Sequence, residues 1–169
     1  METTSKRIVE PKTSGSVSVG QLAPDFRLRG PAGQWVSLAD HRGQPVVLVF
    51  YPLAFTPICS QELPDLERAR EALEALEAVV LGVSVDSWQA NEVFARQIGV
   101  RFPLLSDFHR EVSRAYGVLD EERFTSRRAT FVLDRDGVVV HAEVAHDSES
   151  RGEVPSLERI RAVLERLRR

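Results

Sequence analysis

The residues with the most chemical potential lie in "YPLAFTPICSQELPDL", residues 51–66, which holds Cys59, the single cysteine among 169 residues. A thiolate is a strong nucleophile and reductant, but a free thiol with a pKa of about 8.5 is only a few per cent ionised near neutrality. The neighbouring residues bear directly on that fraction. Thr56 is a good helix N-cap and Pro57 suits a first helical position, so Cys59 falls in a first turn, where free N–H groups can meet its sulfur and favour the thiolate. The Thr56 hydroxyl can donate to that sulfur or to an oxygen of a bound oxidant, or it can serve as a plain N-cap. Glu62 and Asp65 oppose ionisation of the thiol, so such a site needs a cation. In "TSRRATFVLD", Arg127 and Arg128 stand at the mouth of a strand, where an arginine can pair with Glu62 while facing the sulfur; the alternative is two solvated surface arginines. For Cys59 itself the alternative is a buried, inert thiol, since free cysteine is among the most buried residue types.

These groups act together only if a scaffold brings Cys59 into contact with the arginine pair at residues 127 and 128. "APDFRLRG" and "QWVSL", separated by Pro31 and Gly33, read as a hairpin at the edge of the fold. "PVVLVFY", residues 45–51, is a nearly continuous apolar run and predicts a central strand buried on both faces. Leu63, Leu66, Ala69, Leu73 and Leu76 recur at helical spacing, and Pro64 predicts a bend or restart in that helix. "AVVLGVSV" reads as a second buried strand, and "SWQANEVFARQIG" as a helix with Trp88 and Phe94 inward and Gly99 as its stop. "HREVSRAYG" predicts a shorter helix ending at Gly117, and "RATFVLD", "RDG" and "VVVHAEV" predict strand, tight turn and strand. "SLERIRAVLERLRR" closes the chain as an amphipathic helix with Ser156 as its N-cap. A βαβ unit, a helix, an antiparallel pair and a terminal helix give an α/β fold: a thioredoxin-like mixed β-sheet covered by helices on both faces, with an N-terminal β-hairpin. Residues 1–17 are expected to be a mobile tail and residues 18–169 a single domain. The segment after Tyr51 then joins the end of a central strand to a helix, where open α/β sheets bind ligands.

Composition narrows the function. A formal charge of −3, from 22 basic and 25 acidic residues, provides no electrostatic footprint for nucleic acid or an anionic membrane. One cysteine forms no internal disulfide. The N-terminal residues lack the apolar run of a secretory signal, which points to the cytoplasm. "DRDG", residues 134–137, matches only the opening of a calcium loop and reads better as a turn, and "HDSESRGE" lacks a full ligand set, so no metal is expected. No glycine-rich phosphate loop is present, and no cofactor is expected.

Pro52, Thr56 and Cys59 match the P-x-x-x-[TS]-x-x-C signature of the peroxiredoxins. "APDF", "GVSVDS", "FPLLSD" and "RATFVLDRDG" resemble that family's other landmarks in the right order, over about residues 18–168. With its lone cysteine the chain most resembles the one-cysteine, AhpE-like branch. The resemblance implies that Cys59 is the peroxidatic nucleophile, oxidised to a sulfenic acid as the peroxide O–O bond breaks. It implies that Arg128, rather than Arg127, stabilises the thiolate and the polarised peroxide, and that Thr56 hydrogen-bonds the peroxide. Pro52 would shield the pocket and Glu62 would orient the arginine. The substrate would be hydrogen peroxide or an organic hydroperoxide. With no second cysteine, the sulfenic acid needs an external thiol such as mycothiol, bacillithiol or glutathione, or a thioredoxin- or glutaredoxin-like protein. A homodimer or larger homo-oligomer is implied as well.

Two rival functions fit parts of the sequence. A peroxide-sensing switch or binding module would use the same Cys59 without efficient turnover. A cysteine hydrolase would need His41, His109, His141 or His146 as base, and none of these lies in a nucleophile signature.

Overall fold

Extended apolar runs and amphipathic stretches alternate along the chain, and the computed structural model, which describes residues 16–146 and 156–168, realises them as strands and helices. In chain order these are β1 (Arg27–Arg29), β2 (Trp35–Ser37), β3 (Val46–Phe50), α1 (Cys59–Glu74), β4 (Val79–Ser84), α2 (Trp88–Ile98) and β5 (Leu104–Ser106), followed by α3 (Glu111–Ala115), β6 (Leu119–Asp120), β7 (Thr125–Ser126), β8 (Ala129–Leu133), β9 (Val139–Val144) and α4 (Leu157–Leu167). Seven strands form one mixed sheet in the order β2-β1-β5-β4-β3-β8-β9, and β6 and β7 form a separate antiparallel pair. β3, β4 and β5 run parallel, while β8 lies antiparallel to β3 and β1 antiparallel to β5. β1 and β2 are the N-terminal hairpin expected from the sequence.

All five residues of β3 are buried because both faces of the sheet are covered. The two-residue period of the strand divides them. Val46, Leu48 and Phe50 face a core with Phe26, Val112, Tyr116 and Phe131, on the side of α3. Val47 and Val49 face a second core with Cys59, Leu63, Phe94, Val132 and Ile160, on the side of α1, α2 and α4. Helices therefore cover both faces, three on one and one on the other.

Local chemistry sets the boundaries of these elements. The Ser87 hydroxyl accepts the Ala90 N–H at 3.2 Å to start α2, and Gly99 ends it at φ 74°, a left-handed conformation that glycine adopts without strain. Ser156 caps α4 through the Arg159 N–H. The Asp134 carboxylate accepts from the N–H groups of Asp136 and Val138, which makes "DRDG" the tight turn between β8 and β9. Pro64 does not interrupt α1: the helix runs from residue 59 to 74 without the restart expected from the sequence. Packing of Leu63, Leu66 and Leu73 against the sheet holds it together although proline removes one backbone donor. Residues 1–15, most of the expected tail, lie outside the described residues, as does most of "HDSESRGE". Val17 is buried, and its N–H bonds to the Tyr116 carbonyl at 3.1 Å.

Candidate active site

The parallel pairing of β3 continues to Tyr51, whose N–H donates to the Val83 carbonyl at 3.0 Å. The chain then leaves the sheet and turns back through residues 52–58, with Phe55 at φ 65°. It enters α1 at Cys59, which is 0% exposed. The Thr56 carbonyl accepts the Ser60 N–H at 3.0 Å, and the Ile58 carbonyl accepts those of Gln61 and Glu62. These N–H groups, candidates from the sequence for contact with the sulfur, are thus taken up within the turn. A cation meets the sulfur instead: Arg128 Nη1 lies 3.4 Å from Cys59 Sγ.

Strand alternation explains why it is Arg128 and not Arg127. In β8, Val132 belongs to the core that contains Cys59, and two-residue steps through Thr130 place Arg128 toward the same face. Arg127 turns away, and its guanidinium donates to the Gly117 carbonyl at 2.6 Å. β3 carries the chain into the loop while its neighbour β8 begins beside it, with Phe50 opposite Ala129, and so residues 69 positions apart meet.

Glu62 follows Cys59 by about one helical turn and faces the same arginine, with Oε2 3.2 Å from Arg128 Nη1. Both side chains are 4% exposed. Burial pushes the Glu62 carboxyl up to about 6, against the opposing pull of Arg128. Glu62 Oε1 and Arg128 Nε are buried and meet no hydrogen-bond partner among the described residues. Pro52 is buried in the loop. Thr56 differs from the sequence expectation: its hydroxyl neither caps α1 nor donates to the sulfur, but donates to the Leu53 carbonyl at 3.0 Å, closing a tight turn within the loop.

Sequence reasoning missed a buried polar network under the same loop. The Tyr51 hydroxyl donates to Asn91 Oδ1 at 2.6 Å, and burial holds its pKa well above the ordinary phenol range, so it stays a donor. Asp86 Oδ2 accepts the Ala54 N–H at 2.9 Å and the Ser84 hydroxyl at 2.8 Å. The available signal was polar residues, Ser84, Asp86 and Ser106, at the ends of otherwise apolar strands.

The AhpC/TSA family profile matches residues 19–142. Alkyl hydroperoxide reductase E of Mycobacterium tuberculosis is 44% identical over 138 residues, spanning 80% of this chain and 90% of that one. Peroxiredoxin Bcp of Bacillus subtilis is 34% identical over 131 residues, 74% of this chain and 83% of its own. Among solved structures, Mycobacterium bovis AhpC superposes with a TM-score of 0.78 at 26% identity, covering 91% of this chain and 94% of that one. A profile spanning most of the fold, the identity to these relatives and the buried cysteine, arginine and glutamate together show that the protein belongs to the AhpC/TSA family, the peroxiredoxins.

Proposed function

We propose that the protein is a thiol-dependent peroxidase that reduces hydrogen peroxide and organic hydroperoxides through Cys59. The observation that carries this reading is the 3.4 Å contact between Arg128 Nη1 and the one cysteine of the chain. A guanidinium in a dry site stabilises negative charge on sulfur in the ground state and on the departing oxygen as it develops. Arg128 Nε, buried and unpartnered among the described residues, is a further donor for a substrate oxygen. Glu62 Oε2 accepts from the same Nη1 that meets the sulfur and so holds the guanidinium beside Cys59.

The thiolate attacks the terminal oxygen of ROOH. Its electron pair forms the S–O bond, the O–O bond breaks, and RO⁻ leaves and takes a proton to become ROH. Cys59 becomes a sulfenic acid, the first step of the cysteine oxidation ladder. The Thr56 hydroxyl, with its proton directed at Leu53, keeps lone pairs that accept the O–H of the incoming peroxide. Pro52, buried at the start of the loop, excludes water from the reacting atoms. The sulfenic acid then condenses with an external thiol, releasing water and forming a mixed disulfide. A second thiol displaces this disulfide and restores Cys59.

The single cysteine makes the external thiol obligatory in this reading. The reductant is a low-molecular-weight thiol or a thioredoxin- or glutaredoxin-like protein. Dependence on a reducing thiol pool suits the cytoplasm. The reading includes a homodimer, for which Phe55, Phe108 and Phe124, each more than half exposed, supply apolar area. Steady-state peroxide consumption with and without added thiol or protein reductant tests the function. Turnover is expected only with the reductant, and sustained turnover without any would refute the one-cysteine mechanism.

A further inference from the structure

"GVSVDS" and "FPLLSD" resemble landmarks of the family, yet the chemistry above gives them no part. Their polar residues anchor the loop that leads to Cys59. Tyr51, at the head of that loop, is fixed to the sheet: its N–H bonds to Val83, and its carbonyl accepts the Ser126 hydroxyl at 2.9 Å. Its own hydroxyl reaches Asn91. Further along, the Thr56 hydroxyl bond to Leu53 is internal to the loop, and the Thr56 carbonyl bonds to the helix that follows. The middle of the loop is tied to the segment just beyond β4 by the Ala54 N–H bond to Asp86 Oδ2, while the Phe55 ring packs against Phe94 of α2 at 5.1 Å. Asp86 is held in turn by its neighbours. Its carbonyl accepts the Ser106 hydroxyl at 2.6 Å, and its carboxylate and N–H both meet Ser84 Oγ, at 2.8 and 3.2 Å.

We propose that Asp86 is a positioning residue for the peroxide reaction: its carboxylate holds the Ala54 N–H and so fixes the loop that carries Pro52 and Thr56 into Cys59. The inference rests on the peroxidase reading. Ala54 is 8% exposed, so loss of the acceptor leaves a buried donor unpaired, and the loop moves to relieve it. Phe55, the next residue, is held in the left-handed region at φ 65°, a conformation that persists only where the surroundings enforce it. A displacement of about 1 Å at a reacting centre slows chemistry on the order of a hundredfold.

The test compares wild type, Asp86→Ala, Asp86→Asn and Ser106→Ala. For each, the rate of Cys59 oxidation by hydrogen peroxide and the rate of Cys59 alkylation by iodoacetamide are measured. Alkylation needs the thiolate, which Arg128 beside β8 still supports, but not the aligned Thr56 and Pro52. Asp86→Ala is expected to slow oxidation by about tenfold to a hundredfold while alkylation is unchanged or faster. Asp86→Asn retains an oxygen for Ala54 and restores most of the oxidation rate. Ser106→Ala, which loosens Asp86 without removing its carboxylate, slows oxidation in the same direction but less. Oxidation at the wild-type rate in both Asp86→Ala and Ser106→Ala would overturn the inference and leave the peroxidase reading standing. Asparagine as slow as alanine, or equal losses of oxidation and alkylation, would also overturn it. A wild-type rate no faster than a free thiol's would overturn the peroxidase reading and this inference with it.

Discussion

Glu62→Gln separates two forces that act on the same buried carboxyl. Burial raises its pKa and Arg128, at 3.2 Å, lowers it; burial prevails, leaving a value of about 6 against an ordinary 4.5. Because folding raises this pKa, the associated stability is present in full below pH 4.5 and is lost as the pH rises through about 6. At about 1.4 kcal/mol per pKa unit, the loss is about 2 kcal/mol by neutral pH. Glutamine keeps the shape and an acceptor for Arg128 but has no proton to lose. Urea unfolding of both proteins across this range should therefore show the variant gaining about 2 kcal/mol on the wild type between pH 4.5 and neutrality. The same substitution replaces the carboxylate by a neutral amide oxygen, so Arg128 loses the charge attraction of its partner and keeps only a hydrogen bond to it. Losing about 1 kcal/mol of hold on Arg128 should slow oxidation of Cys59 roughly fivefold to tenfold near neutral pH. A stability difference that does not vary with pH, or one that moves in favour of the wild type as pH rises, would refute the reasoning. The first would mean that pairing with Arg128 balances burial, the second that it outweighs it.

Three further predictions concern the site and its scaffold. Arg128→Ala should reduce the rate of Cys59 oxidation by about a hundredfold to a thousandfold in stopped-flow measurements. Arg128→Lys should recover little of that rate, because a compact ammonium can take the place of Nη1 between sulfur and carboxylate but offers no counterpart to the buried, unpartnered Nε donor. Thr56→Val keeps the shape but loses the hydroxyl, and should slow peroxide oxidation by roughly tenfold to a hundredfold, with Thr56→Ser close to wild type. Gly82→Ala would place a Cβ 2.7 Å from Leu104 Cδ2 and 3.5 Å from the Tyr51 ring in a filled core. It should lower stability by about 1–3 kcal/mol in denaturant unfolding.

Much of the fold was legible because its signals are local. The apolar run of β3, the helical spacing in α1 and α4, and Gly99 and Gly137 at positive φ each act within a few residues. The position of Cys59 was legible for the same reason, since strand, turn and helix start follow one another in sequence. Choosing between Arg127 and Arg128 from residues alone required knowing which face of β8 meets α1, and that depends on contacts with β3. Of the partners open to the Thr56 hydroxyl from sequence, the cap gives way to a backbone turn with Leu53, a local competition that residue type alone does not decide. The uninterrupted run of α1 through Pro64 reflects tertiary packing that overrides a local penalty. The Asp86 network stayed hidden because its key bond joins residues 32 positions apart. Only the parallel pairing of β3 with β4 brings those residues together.

The central claim is that Arg128 and the loop before α1 turn Cys59 into a peroxide-reactive nucleophile. It is tested most directly by the second-order rate of Cys59 oxidation by hydrogen peroxide near neutral pH, followed by tryptophan fluorescence and by mass-spectrometric detection of the trapped sulfenic acid. The account predicts a rate orders of magnitude above that of a free cysteine, with one oxygen added at Cys59 and none in Cys59→Ser. A rate equal to that of a free thiol would contradict it, because the 3.4 Å contact would then hold the sulfur without activating it.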